Sequence, residues 1–284
     1  YERHAQETSP RRLWPPRDDA AHLVAQQEGV HVGIDGMSLR FTGRDRKKIR
    51  DIPVAGLESL TILGNVQLST QALHSLCDRG VPVAFLSGAG RMIAFVDPLD
   101  SVSAQVRRAQ VRVLDTPSRC IELCRALVKS KIVNQRTLLM RNCSGLPDSV
   151  SKDLSGIASM LDTVTSIESL RGYVGQAAAI YFKHFAAMIK DNAIAESFQE
   201  NGRQRRPPPD PVNTVLSFAY TMLTHEAVAA LRTARLEPSI GAYHVSRPGR
   251  PALALDLMEP FRPLVADSIA MSAFNRGELT QGHF

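Results

Sequence analysis

The spacing of apolar residues changes near residue 100, and this change constrains the fold more than any other feature of the sequence. In the first third of the chain, short β-branched stretches interrupted by glycine predict strands, and "STQALHSLCDRG" predicts one short helix. Beyond residue 100 the apolar residues recur every three or four positions, which is typical of helices. The predicted fold class is α+β, with a small β-rich N-terminal domain over residues 25–100 and an all-α domain over residues 101–284. The helices are predicted at 101–114, 118–141, 149–163, 167–191, 212–234 and 256–275.

The first 24 residues are predicted to form a linker rather than part of either domain. The stretch "RRLWPPRDD" is charged and carries two adjacent prolines, which favours an extended segment. The N-terminus has no apolar core such as a signal peptide requires. Nowhere does an apolar run approach the roughly 18 residues of a membrane-spanning helix. We therefore expect a cytoplasmic protein that does not enter a membrane.

The charge of the chain favours a polyanionic partner without requiring one. Its formal net charge is +6 and its sequence pI is about 9.3. Basic residues cluster at 44–50, 129–141 and 202–211. Each cluster alone is more often an ordinary solvated surface, but together they predict salt-sensitive contacts with phosphates. The predicted DNA-binding residues are Lys131, Arg136, Arg141, Arg203, Arg205 and Arg206.

The densest group of polar residues lies in "GAYHVSRPGRPALALDLMEPFRP", where His244 precedes Asp256 and Glu259. Two interpretations fit this spacing. An Asp followed three residues later by Glu resembles a capping box, and a single histidine is more often structural. If the three side chains instead converge, one imidazole and two carboxylates suit a hard cation such as Mg²⁺ or Mn²⁺. Such an ion can hold a phosphodiester, so the chemistry would be phosphoryl transfer.

The segment "LRGYVGQAAAIYF" carries the most regular apolar stripe in the chain. Its apolar residues follow the i, i+3, i+4, i+7 pattern of a helix that packs one face against a core. Periodicity alone predicts that Val174 is an ordinary core residue.

Several blocks resemble, in order along the chain, the CRISPR adaptation integrase family, Cas1. They are "ILGNVQLSTQALHSLCDRGVPVAFLSGAGRMIAFV", "RRAQ", "KIVNQRTLLMR", "LRGYVGQAAAIYF", "RRPPPDPVNTVLSFAYTML" and "IGAYHVSRPGRPALALDLMEPFRPLVAD". The resemblance implies that the helical domain is catalytic, and that a homodimer joins a small Cas2 partner. It also implies a DNA endonuclease and integrase that inserts short DNA fragments, the prespacers, into the CRISPR repeat. The stretch "RRLWPPRDDAAHLVAQQEGVHVG" resembles the junction in fusions to an iron–sulphur nuclease of the Cas4 type.

The same resemblance implies a set of site residues. In the family a Glu, a His and an Asp or Glu hold Mg²⁺ or Mn²⁺. His244 matches the histidine and Glu259 the last carboxylate, with Asp256 as a supporting acid. Asn213 and Tyr220 match positions that line the active-site cleft.

The first metal ligand does not match. Where the family has Gly-x-Glu-Gly, this chain reads Gly-Tyr-Val-Gly, so Val174 stands in place of the glutamate. Glu168 lies six residues earlier, which places it about 240° around the helix axis, too far to substitute. The sequence therefore leaves three functions open: a metal-dependent integrase, a catalytically inactive DNA-binding subunit of the same complex, and a helical metal phosphodiesterase acting on small substrates.

Overall fold

The computed structural model describes residues 21–96 and 104–284, and these form two compact units. The N-terminal unit contains two four-stranded sheets, with strand orders β1-β5-β7-β8 and β4-β3-β2-β6. Its elements are β1 (Ala21–Ala25), β2 (His31–Asp35), β3 (Ser38–Thr42), β4 (Lys48–Pro53), β5 (Leu57–Leu63), β6 (Gln67–Leu68), α1 (Thr70–Asp78), β7 (Val83–Leu86) and β8 (Met92–Val96).

Local sequence signals explain the first hairpin and the short helix of this unit. Strands β2 and β3 are antiparallel and Asp35 pairs with Ser38, so the predicted tight hairpin is present, with Gly36 and Met37 as its two loop residues. Gly36 has φ +57°, a backbone conformation that glycine adopts without strain. Ser69 caps α1, because its hydroxyl accepts a hydrogen bond from the backbone N–H of Ala72. Buried side chains from both sheets and α1 form one core.

The prediction of a linker as far as residue 24 is wrong at its end. Strand β1 begins at Ala21 and pairs in parallel with β5, so residues 21–24 belong to the sheet. The short apolar stretch "HLVA" was too brief to show this pairing by its pattern alone. Residues 1–20 of the predicted linker, and the predicted domain boundary at residue 100, lie outside the described residues.

The C-terminal unit is helical in its described part, which confirms the predicted order of a β-rich region and then a helical one. Helix α3 packs on α4, α5 and the π-helical segment, and the buried core includes Tyr181, Phe185 and Phe198. The elements are α2 (Ala104–Leu114), α3 (Pro117–Asn142), α4 (Asp148–Met160), α5 (Ile167–Phe185), α6 (Asn192–Asn201), α7 (Pro211–Thr233), α8 (Ala252–Leu257), a π-helical segment (Arg262–Asp267) and α9 (Ser268–Asn275).

Two helix predictions differ from the structure. The helix predicted at 256–275 is three pieces, because Pro260 and Pro263 interrupt the regular hydrogen-bonding pattern. The helix predicted to reach residue 191 ends at Phe185, and α6 follows it with Asp191 as its N-cap. No helix within the described ranges is long and apolar enough to cross a membrane.

Candidate functional site

Asp256 organises the loop that carries His244. Its side chain is 0% exposed, and its Oδ2 accepts hydrogen bonds from the backbone N–H groups of Ala242 at 2.6 Å and Tyr243 at 3.0 Å. Oδ1 accepts the backbone N–H of His244 at 2.8 Å and lies 2.7 Å from the Nδ1 of the same residue. Three consecutive N–H groups around one carboxylate form an anion nest. The capping-box interpretation is therefore wrong, because this carboxylate binds a loop 12 to 14 residues earlier instead of its own helix.

Gly241 allows this loop to approach Asp256 closely. A Cβ at position 241 would lie 2.7 Å from Ala252 Cβ and 2.9 Å from Asp256 Oδ2, closer than real Cβ atoms approach other atoms. The neighbouring atoms belong to a helix and a buried carboxylate, so they cannot move aside easily. The absence of a side chain is thus required here.

We expect Gly241→Ala to destabilise the protein by about 1–3 kcal/mol, as overpacking of a buried site does. Chemical denaturation measures this loss. Gly156→Ala in α4 is the matched control, because a Cβ there meets nothing within 4 Å. That substitution is expected to stabilise the helix by up to about 1 kcal/mol. Equal effects of the two substitutions would contradict the close approach at Gly241.

His244 and Glu259 each bring one potential metal-ligand atom close to the other residue. Because Nδ1 of His244 donates to the Asp256 carboxylate, Nε2 carries the free lone pair. This Nε2 lies 3.9 Å from Glu259 Oε1, too far for a direct hydrogen bond. A carboxylate that fixes a histidine through its other nitrogen is the usual arrangement behind a metal-binding imidazole.

Glu259 is also paired with two cations. Lys131 Nζ lies 2.6 Å from its Oε2, and Arg262 Nη2 lies 3.3 Å from its Oε1. Burial is the largest influence and would raise the pKa of Glu259, but the nearby charges, Lys131 and Arg262 first, and the hydrogen bond from Lys131 oppose it, so the pKa lies below its usual value. Glu259 is thus a buried, ionised carboxylate whose charge the protein itself compensates.

The donor set falls one ligand short of the predicted metal site. Within residues 21–96 and 104–284, no group of three or more His, Cys, Asp or Glu side chains is placed to hold a metal ion. Asp256 is fully engaged with the loop, which leaves His244 and Glu259 as the two available donors. Their chemistry suits Mg²⁺ or Mn²⁺, but two protein donors do not make the three-ligand site that the resemblance implies.

Val174 lies on the face of α5 that meets the histidine loop. Its side chain is half-buried and packs against the helical core, which includes Tyr243. Arg171, three residues earlier on the same face, donates to the carbonyl of Tyr243 at 2.9 Å. The apolar stripe predicted for this segment is present, with Leu170 and Ala177 buried, but Val174 lies at its edge.

The two predicted cleft residues have different roles. Asn213 is 0% exposed, and its Oδ1 accepts hydrogen bonds at 2.8 Å from Arg203 Nη1 and from the backbone N–H of Gln204. It therefore orders the basic loop before α7. Tyr220 donates its hydroxyl hydrogen to Asp267 Oδ1 at 2.7 Å, beneath Arg262.

The six basic residues predicted to contact DNA fall into two groups. Arg141, Arg205 and Arg206 are exposed. Lys131, Arg136 and Arg203 are instead engaged with Glu259, the carbonyl of Ser151 and Asn213, respectively. Local sequence cannot distinguish these groups, because the partner of Lys131 lies 128 residues away in the chain.

Sequence reasoning missed Arg262 and Asp267. Asp267 is 1% exposed and accepts hydroxyl hydrogens from Tyr181 at 2.8 Å and Tyr220 at 2.7 Å. Burial raises the pKa of Asp267 to about 6, although these two hydrogen bonds oppose the shift. One signal was present in the sequence: a charged residue that closes the apolar run "PLVAD" and continues into an apolar helix.

Comparisons with known proteins agree on the family. The family model described as "CRISPR associated protein Cas1" matches residues 23–284. A "CRISPR-associated exonuclease Cas4/endonuclease Cas1 fusion" from Geobacter sulfurreducens is 37% identical over 97% of this chain and 50% of its own length. The chain thus spans about half the length of that fusion protein. "CRISPR-associated endonuclease Cas1 1" from Chlorobaculum tepidum is 36% identical over 90% of this chain and 76% of its own length.

Solved structures share the fold. A CAS1 protein from Thermotoga maritima aligns with a TM-score of 0.78 at 22% identity, over 93% of this chain and 82% of that one. A chain of a Cas6-RT-Cas1–Cas2 complex aligns with a TM-score of 0.77 at 25% identity, over 93% of this chain and 29% of that one. With the family model covering nearly all of the sequence, this chain belongs to the Cas1 family of CRISPR-associated endonucleases.

Proposed function

We propose that the protein acts in CRISPR spacer acquisition, as the subunit that joins short DNA fragments to the repeat array. The family supports the substrate class. The observation that carries the proposal is the pair His244 Nε2 and Glu259 Oε1, 3.9 Å apart, with the imidazole fixed from behind by Asp256. This pair has the chemistry of a phosphodiester-processing site in the part of the chain that matches the family.

The proposed reaction is a transesterification. The 3′-hydroxyl oxygen of the fragment forms a bond to a phosphorus of the repeat, and the bond from that phosphorus to its 3′ oxygen breaks. The attacking hydroxyl loses a proton and the leaving oxygen gains one. Without a bound cation, the free Nε2 of His244 can accept a proton; with a cation bound there, that nitrogen would act as a ligand instead, while Asp256 holds the ring in both cases.

A divalent cation would stabilise the charge that develops on the phosphodiester. Mg²⁺ or Mn²⁺ is the expected cofactor of the family, and His244 and Glu259 are the residues of this chain that would hold it. Val174 supplies no ligand atom, so this chain offers two of the three expected protein ligands.

Val174 specifically favours a second function, that of a DNA-binding structural subunit of the adaptation complex without chemistry of its own. The loss of a first ligand should cost more than the roughly 10- to 100-fold that loss of an outer-shell partner costs. The ion pairs of Lys131 and Arg262 with Glu259 agree with this function, because they neutralise the carboxylate without a metal.

The proposed partners follow from the relatives. One similar structure is a complex that contains Cas2, and two similar proteins are fusions of Cas4 to Cas1. We propose that this chain forms a homodimer and binds a Cas2 protein, and that it works with a fused or associated Cas4 nuclease. Its nucleic-acid partners are then the prespacer and the CRISPR repeat.

A strand-transfer assay with prespacer, repeat and a Cas2 partner in Mn²⁺ tests the proposal. The chains compared are the parent, Val174→Glu, and Val174→Glu combined with His244→Ala. We expect weak transfer by the parent, much stronger transfer by Val174→Glu and none by the double variant, with salt-dependent DNA binding by all three. Full activity of the parent would contradict the role given to position 174. Absence of both transfer and DNA binding in Val174→Glu would contradict the proposed function itself.

Arg205 and Arg206 are expected to contact DNA phosphates from the exposed loop before α7. Replacing both by alanine should weaken DNA binding for all sequences and reduce the slope of log K against log salt by about 1.8, or about 0.9 for each contact. Fluorescence anisotropy at several salt concentrations measures this slope. The control is Lys190→Ala with Arg276→Ala, two exposed cations outside the basic segments. Equal slopes for the two double variants would contradict the assignment.

A further inference from the structure

Two arginines lie over the ring of Tyr220. The Cζ atom of Arg262 lies 4.7 Å from the ring centroid, and the Cζ atom of Arg203 lies 5.4 Å from it. Both distances are in the range of cation–π contacts. Because Arg262 also contacts Glu259, the ring supports a residue that touches the candidate site.

Asp267 places a negative charge next to the hydroxyl group of Tyr220. It is buried, and it accepts the Tyr220 hydroxyl hydrogen at 2.7 Å without being paired directly to either arginine. A carboxylate that accepts the phenol O–H places negative charge behind the ring and strengthens its attraction for the guanidinium groups. Burial and the charge of Asp267 raise the pKa of Tyr220 well above its usual value, so the phenol remains a donor.

The Tyr220 ring and the Glu259 carboxylate both contact the guanidinium group of Arg262. Its Nε is buried and has no hydrogen-bond partner among the described residues, and its Nη2 makes only a long contact of 3.9 Å with Met258 Sδ besides the ion pair. The guanidinium plane is therefore held by the ring on one side and by Glu259 at its tip. Without the ring, the ion pair would have to fix the side chain alone.

The π-helical segment carries both Arg262 and Asp267, the two residues that contact Tyr220 from this part of the chain. Arg262 begins the segment and Asp267 ends it. In a π-helix, residues five apart are linked by the backbone hydrogen-bonding pattern, and these two residues both contact Tyr220 of α7. Short π-helical segments of this kind occur frequently at functional sites.

From this geometry we infer that Tyr220 and Asp267 are positioning residues, which hold Arg262 against Glu259 and so fix the orientation of that carboxylate. The inference rests on the proposed function where it treats Glu259 as a site residue. The positioning of Arg262 itself does not depend on that function.

Side-chain ¹⁵N relaxation of the Arg262 Nε–H group tests the positioning in the parent chain. We expect an ordered signal in the parent, partial loss of order in Tyr220→Phe, which keeps the ring, and loss of order in Tyr220→Leu. Tyr181→Phe is the matched control, because it removes the other hydroxyl bond to Asp267, while the Tyr181 ring contacts Phe182 and Phe185. An ordered Arg262 in Tyr220→Leu, or equal disorder in Tyr181→Phe, would overturn the inference.

Calorimetric Mn²⁺ binding in the Val174→Glu background tests the consequence for Glu259. Tyr220→Leu is expected to raise the Mn²⁺ dissociation constant about 10-fold, as loss of outer-shell support does, with Tyr181→Phe unchanged. Partial unfolding would lower the binding stoichiometry and leave the dissociation constant unchanged, so the two effects are separable. If Val174→Glu binds no Mn²⁺ while Arg262 responds as expected, the proposed function fails and the positioning stands.

Discussion

Replacing Val174 by glutamate is expected to raise the affinity of the chain for Mn²⁺ by at least about 100-fold. The parent offers His244 Nε2 and Glu259 Oε1, and a carboxylate on this face of α5 would add a third donor. Loss of an outer-shell partner alone costs about 10- to 100-fold in metal affinity, and a first ligand should matter more. Isothermal titration calorimetry of both chains measures the difference.

Val174→Gln is the control for this gain. Its side chain has nearly the size of glutamate, but its amide carries no charge and its oxygen is a weaker ligand for a hard cation. We expect its Mn²⁺ affinity to stay within about 10-fold of the parent, by the same outer-shell scale. Equal affinity of the Gln and Glu variants would show that the introduced carboxylate does not reach the ion.

Asp256→Ala is expected to lower the free energy of unfolding by at least about 3–5 kcal/mol. The substitution removes the acceptor for three backbone N–H groups and for His244 Nδ1, and each buried group left without a partner costs about 1–3 kcal/mol. Unfolding in urea or guanidinium, followed on the full chain, measures the loss. The loop from Gly241 to His244 should also lose its protection from hydrogen exchange.

Asp162→Ala is the matched control for the loss of a carboxylate. Asp162 pairs with Lys129 at 2.6 Å, but both side chains are solvent-exposed, so the pair should contribute less than about 1 kcal/mol. A similar loss in the two variants would mean that Asp256 does not hold the histidine loop. Such a result would also remove the physical basis for the tautomer assigned to His244.

The order of the elements could be predicted from local patterns. The β2–β3 hairpin, the Ser69 cap and the long helices each depend on a few neighbouring residues. Strand β1 was missed because its partner, β5, begins more than thirty residues later in the chain. The break near Pro260 was missed because the helical periodicity continues across it.

The candidate site was less predictable, since its contacts are long-range. Their spacing suggested that Asp256 and Glu259 belong to one cap or one metal site, but the structure gives the two carboxylates different partners. Asp256 binds a loop, whereas Glu259 meets Lys131, which the sequence placed on a basic surface. Asp267 carried one recognisable signal, a charge within an apolar run, and its partners lie 47 and 86 residues away.

At Val174 the apolar periodicity of the helix and the comparison with the family motif lead to different interpretations. By periodicity it continues an apolar stripe, and its half-buried packing against the helical core is consistent with that. Under the proposed function Val174 stands where a ligand is expected, while the neighbouring residues His244, Asp256, Glu259 and Arg262 contact one another. The proposed cation site would then lack one of its three ligands.

The most direct test is a crystal structure of the parent and of Val174→Glu, each soaked in Mn²⁺, with anomalous scattering used to locate the ion. We predict a strong peak within ligand distance of His244 Nε2 and Glu259 Oε1 in Val174→Glu, and no comparable peak in the parent. A fully occupied site in the parent, or an ion bound away from His244 and Glu259 in the variant, would contradict this account.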